Sequence, residues 1–184
     1  MSEHDPLVIR HLEYLGPMAS IDGWRPETGC GALINAEGLE KVETLVAGAL
    51  AGGARLLTGG ERLDREGFFY PPTVMVDVPA DAEILREEIF GPVAVLVPFE
   101  TEDQVIAAAN GTEYGLVSYL YTGDLARGLR VAEALESGMV GLNRGMVSDV
   151  AAPFGGVKQS GLGREGGHLG LMAFTEPKYV AVPD

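Results

Sequence analysis

Residues Val93-Ala94-Val95-Leu96-Val97 form an unbroken apolar run closed at its two ends by Pro92 and Pro98. A run of this kind predicts a strand buried on both faces and central in its sheet, as parallel sheets require. Thr101 opens a Thr-Glu-Asp-Gln capping box before a helix that carries Val105, Ile106 and Ala109 and ends near Gly111. Val117–Tyr121 is a second strand, and Asp124 caps a helix with Leu125, Leu129, Ala132 and Leu135 on one face and Gly138 closing it. Met139–Leu142 is a third strand. Strands alternating with helices imply an α/β fold, a mostly parallel sheet with flanking helices.

Upstream, Leu39, Val42, Val46 and Leu50 recur at helical spacing after Asn35 and stop at Gly52-Gly53, which predicts one amphipathic helix. Arg55–Thr58 is a short strand candidate. A charged, Gly-rich turn over 59–67 then leads through Phe68-Phe69-Tyr70-Pro71-Pro72 into Thr73–Val76. Beyond Asn143 glycine becomes frequent, at 145, 155, 156, 161, 163, 166, 167 and 170. That predicts a long functional or disordered loop region before Tyr179–Val182, whose weak alternation suggests a terminal edge strand.

Lys and Arg number 13 against 27 Asp and Glu, and the formal net charge of −14 repels polyanions. Neither nucleic acid nor an acidic membrane surface is an expected partner. No stretch approaches the roughly 18 apolar residues of a membrane span, and Met1-Ser2-Glu3-His4-Asp5 lacks the basic and apolar parts of a secretory signal, so a cytoplasmic location is expected. One cysteine, Cys30, has no partner for an internal disulfide, and His4, His11 and His168 have no cysteines at ligand spacing. No metal site is expected.

Gly161-Leu162-Gly163-Arg164-Glu165-Gly166 matches the dinucleotide fingerprint G-x-G-x-x-G letter for letter. It is rejected, because no apolar strand precedes it and the residues after Gly166 are too few for the helix and second strand of a βαβ unit.

Arg86-Glu87-Glu88-Ile89-Phe90-Gly91-Pro92-Val93, Pro153-Phe154-Gly155-Gly156 and Ser160-Gly161 occur in an order that resembles the aldehyde dehydrogenase superfamily, over about Thr28 to Val182. The resemblance implies the C-terminal part of the catalytic domain over 27–184, with residues 1–26 an unmatched leader and the cofactor domain absent. It also implies a reaction: thiolate attack on an aldehyde, hydride transfer from the hemithioacetal to NAD or NADP, and release of the acid by water with a glutamate as general base. The family's nucleophilic cysteine and general base lie upstream of the matched segment, so no catalytic residue is expected here and the chain alone is expected to be inactive. Cys30 stands in Thr28-Gly29-Cys30-Gly31-Ala32-Leu33-Ile34-Asn35, which resembles a surface segment of the family downstream of the nucleophile, and it is expected to be a passive thiol.

By the same resemblance, Glu88 takes the ribose hydroxyls at the nicotinamide end of the cofactor, with the ring of Phe90 close by; the plainer alternative is a solvated acidic face of Glu83, Glu87 and Glu88 with Arg86. Asn143-Arg144-Gly145-Met146-Val147-Ser148, leading to Pro153–Gly156, resembles succinate-semialdehyde dehydrogenases. There a serine at the position of Ser148 helps bind the distal carboxylate of the substrate, and the phenylalanine at Phe154 lines the aldehyde tunnel. The alternatives are a loop serine bonded to its own backbone and a phenylalanine packed in the core. An unpaired Tyr179–Val182 edge suggests self-association, or docking on a full-length paralogue as a non-catalytic interaction module.

Overall fold

The computed structural model describes residues 30–183, so the segment 1–26 set apart above lies outside the described residues. The chain divides after Pro98 into two compact units.

The first unit is built on helix α1, Ala36–Ala51. Asn35 caps it, its side chain accepting from the Gly38 N–H at 2.8 Å, and the helix ends at Gly52. Leu39, Val42, Leu45, Val46 and Ala49 form its buried stripe; Leu39, Val42 and Val46 stand as the sequence predicts, whereas Leu50 is exposed and Ala49 beside it is buried instead. The stripe packs with Tyr70, Met75, Val78 and Ile84, and Leu56, Val93 and Val95 lie against the same cluster. The sheet consists of β1 (Arg55–Thr58), β2 (Thr73–Val76) and β3 (Val93–Val95), in that order. β1 pairs antiparallel with β2, and β2 pairs parallel with β3.

Here the structure corrects the sequence. The strand predicted to be central and doubly buried is β3, which is only half-buried and stands at the edge of this sheet. The central strand is β2, whose four residues are all buried. The reason is pairing: β2 has a hydrogen-bonded neighbour on each side, whereas β3 has one among the described residues.

The second unit contains α2 (Glu102–Asn110), β4 (Tyr114–Gly115), β5 (Val117–Leu120), α3 (Leu125–Ala134), β6 (Met139–Leu142), β7 (Val157–Lys158) and α4 (Gly167–Met172). The capping box at Thr101 forms in full, with Thr101 and Gln104 each bonding the other's backbone. Asp124 caps α3 through the Arg127 N–H. β5 and β6 pair in parallel from Val117↔Met139 to Leu120↔Leu142, and β4 pairs antiparallel with β7.

Two further expectations change. Gly138 does not close α3, which already ends at Leu135 in an extended conformation. A Cβ at Gly138 would overlap the Gly155 carbonyl oxygen, so the glycine is there for close backbone packing. Tyr179–Val182 forms no strand, since no described strand pairs with it, and Tyr179 is 90 % exposed.

Candidate functional site

Glu88 and Phe90 sit on the loop between a short 3-10 turn, Glu83–Leu85, and β3. The loop is pinned where it touches the core. Ile84 is buried, Ile89 packs against the α1 cluster, and the Pro92 carbonyl accepts from the Thr73 N–H at 2.8 Å. Gly91 allows the approach, because a Cβ there would stand 2.5 Å from Val42 Cγ2. Between these anchors Glu88 is exposed and Phe90 is 79 % exposed, with φ at +47°. Bulky residues seldom occupy that left-handed region.

The acidic face of the plainer alternative is present: Glu83, Glu87 and Glu88 are all exposed. Its cation, however, is Lys41 of α1, which pairs with Glu87 at 3.7 Å. Glu88 thus keeps two carboxylate oxygens for a diol, beside an aromatic ring. Two acceptor oxygens beside an exposed aromatic ring are chemically able to accept from a diol and pack a flat ring.

Ser148 lies on the loop leaving β6. Asn143 fixes the departure: at φ +54° its N–H donates to Leu120 O, and its side chain both accepts from the Thr122 N–H at 2.9 Å and donates to Thr122 O at 2.8 Å. Ser148 is exposed, and its hydroxyl has no hydrogen-bond partner among the described residues. The side-chain turn expected of it as an ordinary loop serine belongs to Asp149, whose Oδ1 accepts from the Ala151 N–H at 2.9 Å.

Phe154 is half-buried and exchanges both backbone hydrogen bonds with Glu165, at 2.7 and 2.8 Å. It lines an open groove of about 900 Å³ together with Leu116, Val150, Leu162, Leu171 and Phe174. Ser148 is not among the lining residues. The four predicted residues therefore fall as two pairs: Glu88 and Phe90 share a loop of the first unit, while Ser148 and Phe154 share a loop of the second, with only Phe154 on the groove.

Two side chains that shape this region had no role assigned from the sequence. Arg164 Nη1 donates to Gly156 O at 2.7 Å and to Gly163 O at 2.6 Å, and Ser160 Oγ accepts from the Gly115 N–H at 3.0 Å. The available signal was a long donor side chain amid glycines whose carbonyls have no regular ladder to join. Gly161–Gly166 is preceded by the two-residue, antiparallel β7 and followed by the six-residue α4, which is not a βαβ unit. Partial burial pushes the Cys30 thiol pKa up, which disfavours the thiolate a nucleophile needs. Among the described residues no group of three or more His, Cys, Asp or Glu is placed to hold a metal, and no helix is long and apolar enough to cross a membrane.

The profile of the aldehyde dehydrogenase family matches residues 2–180. This chain belongs to the aldehyde dehydrogenase family. The match begins at residue 2 and so includes residues 2–26. A succinate-semialdehyde dehydrogenase of Paenarthrobacter nicotinovorans is 49% identical over 170 residues, covering 92% of this chain and 38% of that relative. A succinate-semialdehyde dehydrogenase [NADP(+)] of Escherichia coli strain K12 is 49% identical over 161 residues, covering 88% of this chain and 33% of that relative. Among solved structures, the NAD+ complex of an aldehyde dehydrogenase from Bacillus cereus superposes with a TM-score of 0.86 at 38% identity, over 95% of this chain and 36% of that one. The chain thus spans about a third of the length of the relatives it matches, and lies close to succinate-semialdehyde dehydrogenases within a family that uses NAD or NADP.

Proposed function

We propose that this segment supplies the nicotinamide-end cofactor contacts and part of the aldehyde site of an NAD(P)-dependent dehydrogenase that oxidises a short semialdehyde, succinic semialdehyde first, to the dicarboxylic acid. The observation that carries the substrate assignment is the Ser148 hydroxyl, exposed and without a protein partner among the described residues. A hydroxyl donor of this kind suits the distal carboxylate that separates a semialdehyde from a plain aldehyde. Phe154 would form an apolar wall along the aldehyde path. Glu88 would accept from the ribose diol, with Phe90 against the nicotinamide, and the bound dinucleotide would supply the hydride acceptor. A single thiol suits a reducing, cytoplasmic setting.

The 184 residues by themselves are expected to be inactive, because Cys30, their one thiol, is expected to be passive: partial burial pushes its pKa up and disfavours the thiolate. Incubation with succinic semialdehyde and either NAD+ or NADP+ should give no reduced nicotinamide above a boiled control; clear turnover would overturn that expectation. Supplied with the remaining two thirds of a family enzyme, in one chain or by mixing, the segment should support turnover. Ser148→Ala should then raise KM for succinic semialdehyde by about 10- to 100-fold, the equivalent of one hydrogen bond to a charged group, and leave butanal nearly unchanged. Equal effects on the two aldehydes would remove Ser148 from the carboxylate site.

A second reading is a non-catalytic interaction module that self-associates or docks on a full-length paralogue. Exposed apolar side chains favour it: Phe174, Tyr179 and Val182 lie open along the C-terminal segment. Sedimentation across a wide concentration range decides, since a clean monomer with no co-purifying paralogue would exclude it.

A further inference from the structure

Lys158 stands two residues after Gly156 and takes no part in the site described above. Its φ is +55°, a conformation in which a non-glycine residue needs surrounding contacts to hold it. Those contacts are specific. Nζ donates to Asn110 O at 2.8 Å and to Thr112 O at 3.1 Å, and pairs with Glu136 Oε2 at 2.6 Å, so each of the ammonium's three hydrogens has an acceptor. Asn110 crosses the same junction, donating from Nδ2 to Ala134 O at 2.9 Å and accepting from the Glu136 N–H at 2.8 Å. The end of α2, the end of α3 and β7 therefore converge on one ammonium.

The junction adjoins the groove wall. Two residues past Glu136, Gly138 packs its backbone on the Gly155 carbonyl, immediately after Phe154. Arg164 holds the same stretch through Gly156 O. We propose that Lys158 is a positioning residue that sets where Phe154 stands in the groove wall, by tying the strand behind Phe154 to the carbonyls at the end of α2 and to the Glu136 carboxylate just beyond α3. Its meaning for aldehyde recognition rests on the function proposed above; the placement itself does not. An ordinary exposed ion pair contributes little. Two bonds to backbone carbonyls distinguish Lys158, whose side chain is only 25% exposed.

The test is amide hydrogen exchange on the 184-residue chain, followed by NMR. In Lys158→Met, exchange at Phe154 and Glu165, which bond each other and not Lys158, should rise about tenfold or more, as expected for loss of a charge-assisted tie, while Leu96 and Asn143 stay as they were. Lys158→Arg should restore most of the protection. Lys158→Gly, which relieves the backbone and removes the ammonium, should not. Unchanged exchange at Phe154 and Glu165 in Lys158→Met, or full protection in Lys158→Gly, overturns the proposal. Should Lys158→Met lose protection everywhere, the milder Glu136→Gln decides: a smaller rise confined to the same two amides supports the proposal, and no rise overturns it. None of these readouts requires turnover, so failure of the aldehyde assignment would appear in the KM comparison and leave this exchange pattern intact.

Discussion

Val42, Tyr70, Val74 and Met75 of the first unit expose none of their surface, whereas in the second unit Val131 is the one large hydrophobic side chain buried to a comparable degree among the described residues. The first unit has an apolar core in the ordinary sense, a helix stripe packed on a sheet. The second is held by parallel pairing of β5 with β6, by backbone contacts at Gly138 and Gly155, and by side chains that bond main-chain groups from afar: Asn110, Asn143, Lys158 and Arg164. Leu125, Leu129, Met146, Val150 and Phe174 remain exposed there. Stability in the first unit should therefore follow buried volume. In the second it should follow hydrogen bonds and backbone fit.

The largest expected effect separates the two directly. Met75→Ala removes a side chain with no exposed surface and should cost about 2–5 kcal/mol, the range for emptying a packed core site. Leu129→Ala, on the exposed face of α3, should stay within about 0.5 kcal/mol. Urea unfolding followed by circular dichroism gives the two values. Comparable losses would mean that the second unit has an apolar core after all.

Next in size is a change that adds volume. Gly138→Ala forces a methyl group onto the Gly155 carbonyl oxygen, and neither backbone can yield without disturbing the ladder beside it. A cost of about 1–3 kcal/mol is expected, the usual penalty for overpacking. Gly123→Ala, with nothing within 4 Å of the added carbon, is the control and should be close to neutral. If the two substitutions melt alike, backbone approach is not what holds the second unit.

The same contrast governs what could be read in the sequence. The α1 stripe, the Thr101 capping box and the Asp124 cap were legible, because each is a local pattern with a local cause. The place of Val93–Val97 was not, since apolarity gives the number of faces to be covered and not the number of neighbouring strands. The Gly-rich stretch was read as a loop region, but what its glycines do could not be read, for a related reason. Its glycines are needed where two backbones touch, as at Gly138 and Gly155, and the partner lies 17 residues away with nothing in the sequence to mark it. Glu88, Phe90, Ser148 and Phe154 were named through family strings. The ties that place their loops, Lys41 to Glu87, Asn143 to Thr122 and Arg164 to Gly156, required the fold.

A smaller effect tests a flaw in the first unit's core. Tyr70 is fully buried and its hydroxyl has no partner in hydrogen-bonding geometry among the described residues; the nearby Thr73 hydroxyl donates instead to Pro71 O at 2.9 Å. Burial, helped by the charge of Glu43, pushes the Tyr70 pKa up to about 12. The neutral form is thus favoured by folding, and the contribution is intact below the unfolded value near 10 and lost as pH rises through the folded value. Tyr70→Phe should be neutral or stabilising by up to about 1 kcal/mol at pH 7, because it removes an unsatisfied polar group, and should lessen the fall in stability between about pH 10 and 12. Melting temperatures across that range are the measurement. A clear loss at neutral pH would show that the hydroxyl is satisfied in solution.

The smallest effects come from two helical glycines, one in each unit. Gly48 lies on the exposed side of α1, and a Cβ added there would have nothing within 4 Å, so Gly48→Ala should gain about 0.5–1 kcal/mol from helix propensity alone. Gly128 is buried in α3, where an added Cβ would meet Leu142 Cδ1 at 2.9 Å and Thr122 Cγ2 at 3.2 Å. The same propensity gain is available to Gly128→Ala, but Leu142 must turn and Thr122 must give way. The two contributions should cancel to within about 0.5 kcal/mol. A gain at position 128 equal to that at 48 would mean that α3 rides loosely on β6, and that the second unit tolerates added volume at its helix face in a way its glycine contacts at 138 and 155 do not.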